Sequence, residues 1–116
     1  MPCCQVVTNI NASDDDIKKT LSQIENAVSE VMSKPMSYIM SNYDYQKYLR
    51  FGGSDNGFCF VKITSISGIN KTNNTALADK VTKILVNTIK VKSDRVFIEF
   101  NDCSPKNFAF NGSLFG

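Results

Sequence analysis

The sequence predicts an α/β fold, in which two β-α-β units join into one four-stranded mixed sheet with both helices on the same face. Three observations carry that expectation. Two amphipathic stretches each stand between β-rich runs. The halves repeat: Ile10-Asn11, Tyr38-Ile39 and Phe51-Gly52-Gly53-Ser54 recur 59 residues on as Ile69-Asn70, Phe97-Ile98 and Phe110-Asn111-Gly112-Ser113. The length of 116 residues suits a single domain spanning 1–116, with halves at about 2–57 and 58–116. A chain of that size buries roughly two-thirds of its unfolded surface.

The first strand is read from about Cys4 to Ile10. Ser13 followed by Asp16 is a capping pattern, and Asp14, Asp15 and Asp16 suit the positive end of a helix dipole. Ile17, Leu21, Ile24, Val28 and Val31 then mark one apolar helical face. Ser33-Lys34-Pro35 ends that helix, because a residue before proline avoids helical backbone angles. Tyr38 to Tyr45 reads as the second strand, and 51–57 as a glycine-rich turn. Phe58 to Ile66 is the third strand. After a polar lead-in at 70–75, Leu77, Val81, Ile84, Thr88 and Val91 repeat the first helical face, here 60 residues on. Arg95 to Phe100 is the fourth strand, followed by a short tail.

That layout covers one sheet face and leaves the other bare. The third strand reads as apolar on both faces, with Phe58, Phe60 and Ile66 on one and Cys59, Val61 and Ile63 on the other. Strands apolar on both faces are buried on both. The expectation is therefore an oligomer, with another copy as the simplest cover.

Composition excludes several chemistries. There is no histidine, so a Ser-His-Asp triad, a Cys-His dyad and any His-ligated metal site are ruled out. Cys3, Cys4, Cys59 and Cys103 follow no zinc or C-x-x-C spacing and are expected as free thiols. A net charge of +2 with dispersed lysines does not point to nucleic acid. No run has signal-peptide or membrane-span length, so a soluble chain made in the cytosol is expected. The sequons at Asn11, Asn70, Asn73 and Asn111 are then read as cap and turn chemistry. No metal is expected, and no cofactor. The Gly52-Gly53 turn lacks the G-K-[ST] of a phosphate loop.

What remains is the amino terminus. Pro2 is small enough for Met1 to be removed, which would leave a secondary amine. An α-amino group titrates near 7.7–8.0, and burial or a nearby cation lowers that value. A base near neutral pH suits proton abstraction. Lys34 falls at the mouth of the first strand, near Pro2, where it would bind a substrate carboxylate. Phe108, Phe110 and Phe115 in the tail offer apolar pocket walls.

Pro2, Ser33-Lys34-Pro35, Tyr38-Ile39, Phe51-Gly52-Gly53-Ser54, Ser65-Ile66 and Asp94-Arg95-Val96, in that order, resemble the macrophage migration inhibitory factor family, in particular its protozoan-parasite forms. The resemblance runs from Pro2 to the end. It implies a homotrimer with a central channel, with sites between subunits and keto–enol tautomerase activity on phenylpyruvate-like or dopachrome-like acids. It also implies a cytokine-like role after secretion without a signal peptide, with a host cell-surface receptor as partner. By position, Pro2 is the catalytic base, Lys34 holds the carboxylate, Ile66 gives a backbone contact, and Tyr38 and Phe115 are walls.

Other positions depart from the family. Phe97 stands for a tyrosine, Glu99 for a substrate-binding asparagine, Phe110 for a tryptophan and Phe108 for an aliphatic residue. The family's C-x-x-C is absent, and two receptor-contacting charges fall on Ala12 and Gln46. A slow enzyme is expected. The alternative is a receptor-binding protein with a vestigial site.

Overall fold

The computed structural model describes all residues, 1–116. Six strands and two long helices follow in the order β1 (Cys3–Thr8), α1 (Asp14–Met32), β2 (Met40–Tyr45), β3 (Cys59–Ser65), α2 (Lys71–Ile89), β4 (Val96–Asp102), β5 (Ala109–Phe110) and β6 (Ser113–Leu114). The main sheet has the order β2-β1-β3-β4. β1 runs parallel to β2, β3 runs parallel to β4, and the two pairs meet antiparallel along β1 and β3. This is the expected mixed sheet. β5 and β6 form a separate hairpin.

The helix ends have local causes. Ser13 caps α1, its hydroxyl accepting from the Asp16 N–H at 3.2 Å, and Asn70 caps α2 in the same way through the Asn73 N–H at 2.9 Å. Both helices close on a left-handed residue, Ser33 with φ 54° and Lys90 with φ 62°. Neither helix is long and apolar enough to cross a membrane.

The core lies between the helices and one sheet face. Cys4 and Val6 of β1 and Cys59, Val61 and Ile63 of β3 meet Ile24, Ala27, Val28 and Met32 of α1 and Leu77, Val81, Leu85 and Ile89 of α2. Each fully buried Leu, Ile or Val contributes about 1.5–3 kcal/mol. α1 is turned relative to its expected face: Thr20, Ile24, Ala27, Val28 and Met32 are buried, while Ile17, Leu21 and Val31 are only half-buried. The cause is a polar pair between the helices. Thr88 Oγ1 donates to the Ile84 carbonyl at 2.8 Å and accepts from buried Thr20 Oγ1 at 2.7 Å, which also lies 2.7 Å from the Asp16 carbonyl. A paired hydroxyl can sit in the core without the cost of an orphaned one.

Two expectations need correction. Tyr38 is not in a strand. Met36–Tyr38 form a 3₁₀ turn, and β2 begins at Met40, because Tyr38 N–H bonds to Pro35 O at 3.0 Å before the chain reaches the sheet. The bare face is also not continuously apolar. On it, β3 carries Phe60, Lys62 and Thr64, all half-buried, and Lys62 and Thr64 break the apolar set. Register lines this face up in rows. One row holds Val7, Phe60 and Phe97, and the next holds Asn42, Gln5, Lys62 and Glu99.

Candidate active site

The parallel and antiparallel pairings bring five chain segments to one edge of the sheet. β1 and β2 begin there, β3 and β4 end there, and the turn after α1 passes over it. Pro2 is fully buried at this edge, its carbonyl accepting from the Met40 N–H at 3.1 Å. Cys103 N–H closes the far side onto Ser65 O at 2.9 Å.

Lys34 reaches the edge from the end of α1. Its backbone is held twice: its N–H donates to Ser29 O at 3.2 Å, and Ser29 Oγ donates to its carbonyl at 2.6 Å. The ammonium donates to Ile66 O at 3.0 Å and to Ser67 Oγ at 2.6 Å. The structure thus joins the expected site residues Lys34 and Ile66 directly. Ser67 was not among the expected residues. The Ser67-Gly68 turn dipeptide was the available signal. Ser67 has φ 62°, a left-handed conformation that costs a non-glycine residue on the order of 1–2 kcal/mol.

The electrostatics of the terminus follow from this arrangement. In the chain that begins with Met1, burial pushes the terminal amine below its ordinary pKa; the Lys34 charge pushes in the same direction, and Cys103 opposes both. The neighbouring thiols are poor nucleophiles. Burial raises Cys3, and burial with the nearby Cys3 and Glu25 pushes Cys4 up to about 12. All four cysteines are unpaired.

The aromatic walls assemble next to this edge. Tyr38 meets Phe110 edge-on at 6.0 Å between ring centroids, Phe110 stacks with Phe115 at 6.4 Å, and Phe115 meets Phe108 at 6.2 Å. Asn111 with φ 51° and Gly112 with φ 80° make the tight turn that folds Phe110 back toward Tyr38. Tyr38, Phe110 and Phe115 remain substantially exposed.

Phe97 and Glu99 are not brought to Pro2 within one chain. Phe97 lies five residues before the end of β4, about 17 Å from the Pro2 edge at the usual strand rise. It packs instead on Phe51 and Phe58, at 4.7 and 5.8 Å. Glu99 accepts from the Asn101 amide at 2.9 Å, with Lys62 beside it in register. The two pockets of the surface also lie elsewhere. One sits between the helices near Ala27 and Ile84, and the other by Lys92 and Arg95. In the single chain the Pro2 edge is therefore an open shelf beside buried Pro2, with a held cation and one aromatic wall.

The family model for macrophage migration inhibitory factor (MIF) matches residues 1–116. A macrophage migration inhibitory factor homolog of Brugia malayi is 31% identical over 116 residues, the whole of both chains. Among solved structures, the macrophage migration inhibitory factor of Toxoplasma gondii superposes with a TM-score of 0.94 at 27% identity, covering 97% of this chain and 99% of that one. That of Trichinella spiralis superposes with a TM-score of 0.88 at 29% identity and the same coverage. Sequence, fold and coverage agree from end to end: the chain belongs to the macrophage migration inhibitory factor family.

Proposed function

We propose that this protein is a keto–enol tautomerase acting on an aryl keto acid of the phenylpyruvate or dopachrome type, with the Pro2 nitrogen as its base once Met1 is removed. The observation that carries the reading is the edge itself: Pro2 is fully buried there, and the Lys34 ammonium is fixed on Ile66 O. In the chain that begins with Met1, burial and then the Lys34 charge lower the pKa of the terminal amine. An amine at Pro2 would meet the same two influences, which favour its free-base form. The Pro2 lone pair takes the proton from the carbon next to the ketone. The C–H electron pair becomes the C=C bond, the carbonyl π pair moves to oxygen, and the pyrrolidinium returns the proton to that oxygen. No electrons enter or leave, so no cofactor is needed. Lys34 holds the carboxylate, with Ile66 beside it, and Tyr38, Phe108, Phe110 and Phe115 wall the aryl ring.

The reading includes a homotrimer. The bare sheet face would line a central channel, and the row of Asn42, Gln5, Lys62 and Glu99 suits a wet wall better than a dry contact. Phe97 and Glu99 would then reach Pro2 only from a neighbouring subunit. Glu99 would bring a second negative charge close to the substrate carboxylate, and an ionised carboxylate cannot donate a hydrogen bond. A slow enzyme follows. Release from the cell without a signal peptide and action on a host receptor complete the proposal.

A second reading, favoured by the exposed aromatic tail hairpin, is a receptor-binding protein with a vestigial site. Retaining Met1 separates the two, because it converts the Pro2 nitrogen into an amide with no basic lone pair. A general base contributes about 10²–10⁴-fold, so kcat/KM for phenylpyruvate is expected to fall at least 100-fold while the assembly stays intact. Pro2→Gly still leaves a terminal amine and should cost less. Undiminished turnover in the protein that retains Met1 would remove Pro2 from the mechanism.

A further inference from the structure

We propose that Ser67 is the second arm of the anion site, forming with Lys34 a two-donor fork that grips a carboxylate at both oxygens. The inference rests on the reading of the Pro2 edge as a keto-acid site and names the device that selects the acid.

The donor inventory leads there. A lysine ammonium has three N–H donors and no acceptor. Lys34 uses one on Ile66 O and one on Ser67 Oγ, at 3.0 and 2.6 Å, and keeps the third. The Ser67 oxygen accepts from the ammonium, so its own O–H proton has no partner in the chain. Ser67 is exposed, so the proton is open to a ligand. A hydroxyl polarised by a cation is a strengthened donor. The two donor atoms are 2.6 Å apart, close enough for the two oxygens of one carboxylate to bridge them.

The backbone is built around this contact. Four non-glycine residues adopt left-handed angles: Ser33, Ser67, Lys90 and Asn111. Ser33 and Lys90 end helices, and Asn111 turns the tail hairpin. Ser67 does neither, and glycine would take its φ of 62° without strain. Gly68 follows with φ 81°, where a side chain would clash with Met32 Cε at 2.9 Å and just touch Lys34 Cε at 3.7 Å. The turn is therefore packed against Met32, beside the Lys34 stem. With the Lys34 backbone held by Ser29, the fork is set before any ligand arrives.

Ser67→Gly tests this, because glycine fits the backbone and removes only the hydroxyl. The substrates are phenylpyruvate and its methyl ester, and phenylacetate binding is measured separately by calorimetry. A lost hydrogen bond to a charged group predicts KM for the acid and Kd for phenylacetate each raised about tenfold, with kcat and the ester KM unchanged. Equal KM and Kd in wild type and variant would overturn the fork. So would an equal rise for acid and ester, since that marks a collapsed loop. If wild type binds phenylacetate in a Ser67-dependent way but does not turn over phenylpyruvate, the fork stands and the tautomerase reading falls. If wild type turns over and Ser67→Gly is indistinguishable from it, the reverse holds.

Discussion

Phe51-Gly52-Gly53-Ser54 and Phe110-Asn111-Gly112-Ser113 are the same turn in opposite surroundings. In each, the two central residues have positive φ, and the flanking Phe and Ser pair across the turn. The first turn is locked. Arg95 donates to the carbonyls of Phe51, Ser54, Asn56 and Gly57, and its guanidinium lies over the Phe51 and Phe58 rings. Asn9 holds the same loop through the carbonyls of Leu49, Asp55 and Asn56 and the Phe58 N–H. The second turn has no such clamp. Phe110 is 52% exposed and meets Tyr38 only edge-on. One local geometry thus serves as a seal at one end of the sheet and as a free aromatic wall at the other.

The cations at the two ends make the same contrast. Arg95 spends four of its five N–H donors on the carbonyls of one loop, so its role is structural. Lys34 keeps a donor in reserve, so it can take a ligand.

The largest expected effect breaks the seal. Arg95→Ala removes charge-assisted bonds to four carbonyls and should cost about 2–3 kcal/mol in urea unfolding, whereas Phe110→Ala should cost under about 1 kcal/mol. Equal losses would end the distinction between the turns. The next test alters both turns in the same way. Gly53 and Gly112 have φ of 75° and 80°, with nothing within 4 Å of an added Cβ. Gly53→Ala should lower global stability by about 1 kcal/mol, because its turn unfolds with the core. Gly112→Ala should cost less than half of that, since the hairpin can open alone, and it should show as faster amide exchange at Phe115. A Gly112→Ala loss as large as that of Gly53→Ala would show the tail hairpin to be part of the core.

The smallest effect concerns the free cation. In the chain that begins with Met1, burial and Lys34 both lower the pKa of the terminal amine, and Lys34→Gln removes the second influence. The Pro2 amine of the proposed processed enzyme would lose the same charge, so the acidic limb of kcat/KM should move to higher pH. The stability linkage has a definite sign. An amine with a lowered pKa binds fewer protons in the folded state. Its contribution is complete above the ordinary value and is lost as pH falls through the folded value. Lys34→Gln narrows that window. An acidic limb that stays in place would show that Lys34 does not tune the base.

Much of the fold was legible because its signals are local. Ser13 and Asp16 set the start of α1, the strands fell within a few residues of their expected ends, and both turns stood in a repeated four-residue pattern. The face of α1 was misjudged because Thr20 looks polar until its partner Thr88, 68 residues away, is beside it. The bare face looked apolar because Phe60 outweighed Lys62 and Thr64 between its neighbours. The resemblance named Lys34 and Ile66 each as a substrate contact and gave no sign that the two are bonded to each other. Ser67 was missed because a serine before glycine reads as an ordinary turn.

The sequence by itself determined the two helices, the four main strands and the two tight turns, since caps, periodicity and left-handed φ are set by residues within a few positions of one another. It also determined that any acid–base chemistry here must do without histidine. Only the tertiary structure decided which of two matching turns is sealed and which is open, and which of two cations is tied into a loop and which stands at the Pro2 edge. Those outcomes depend on partners 32 to 49 residues apart, as between Lys34 and Ile66 or Asn9 and Phe58. Contacts at that separation come from strand order and register, and no local pattern encodes them.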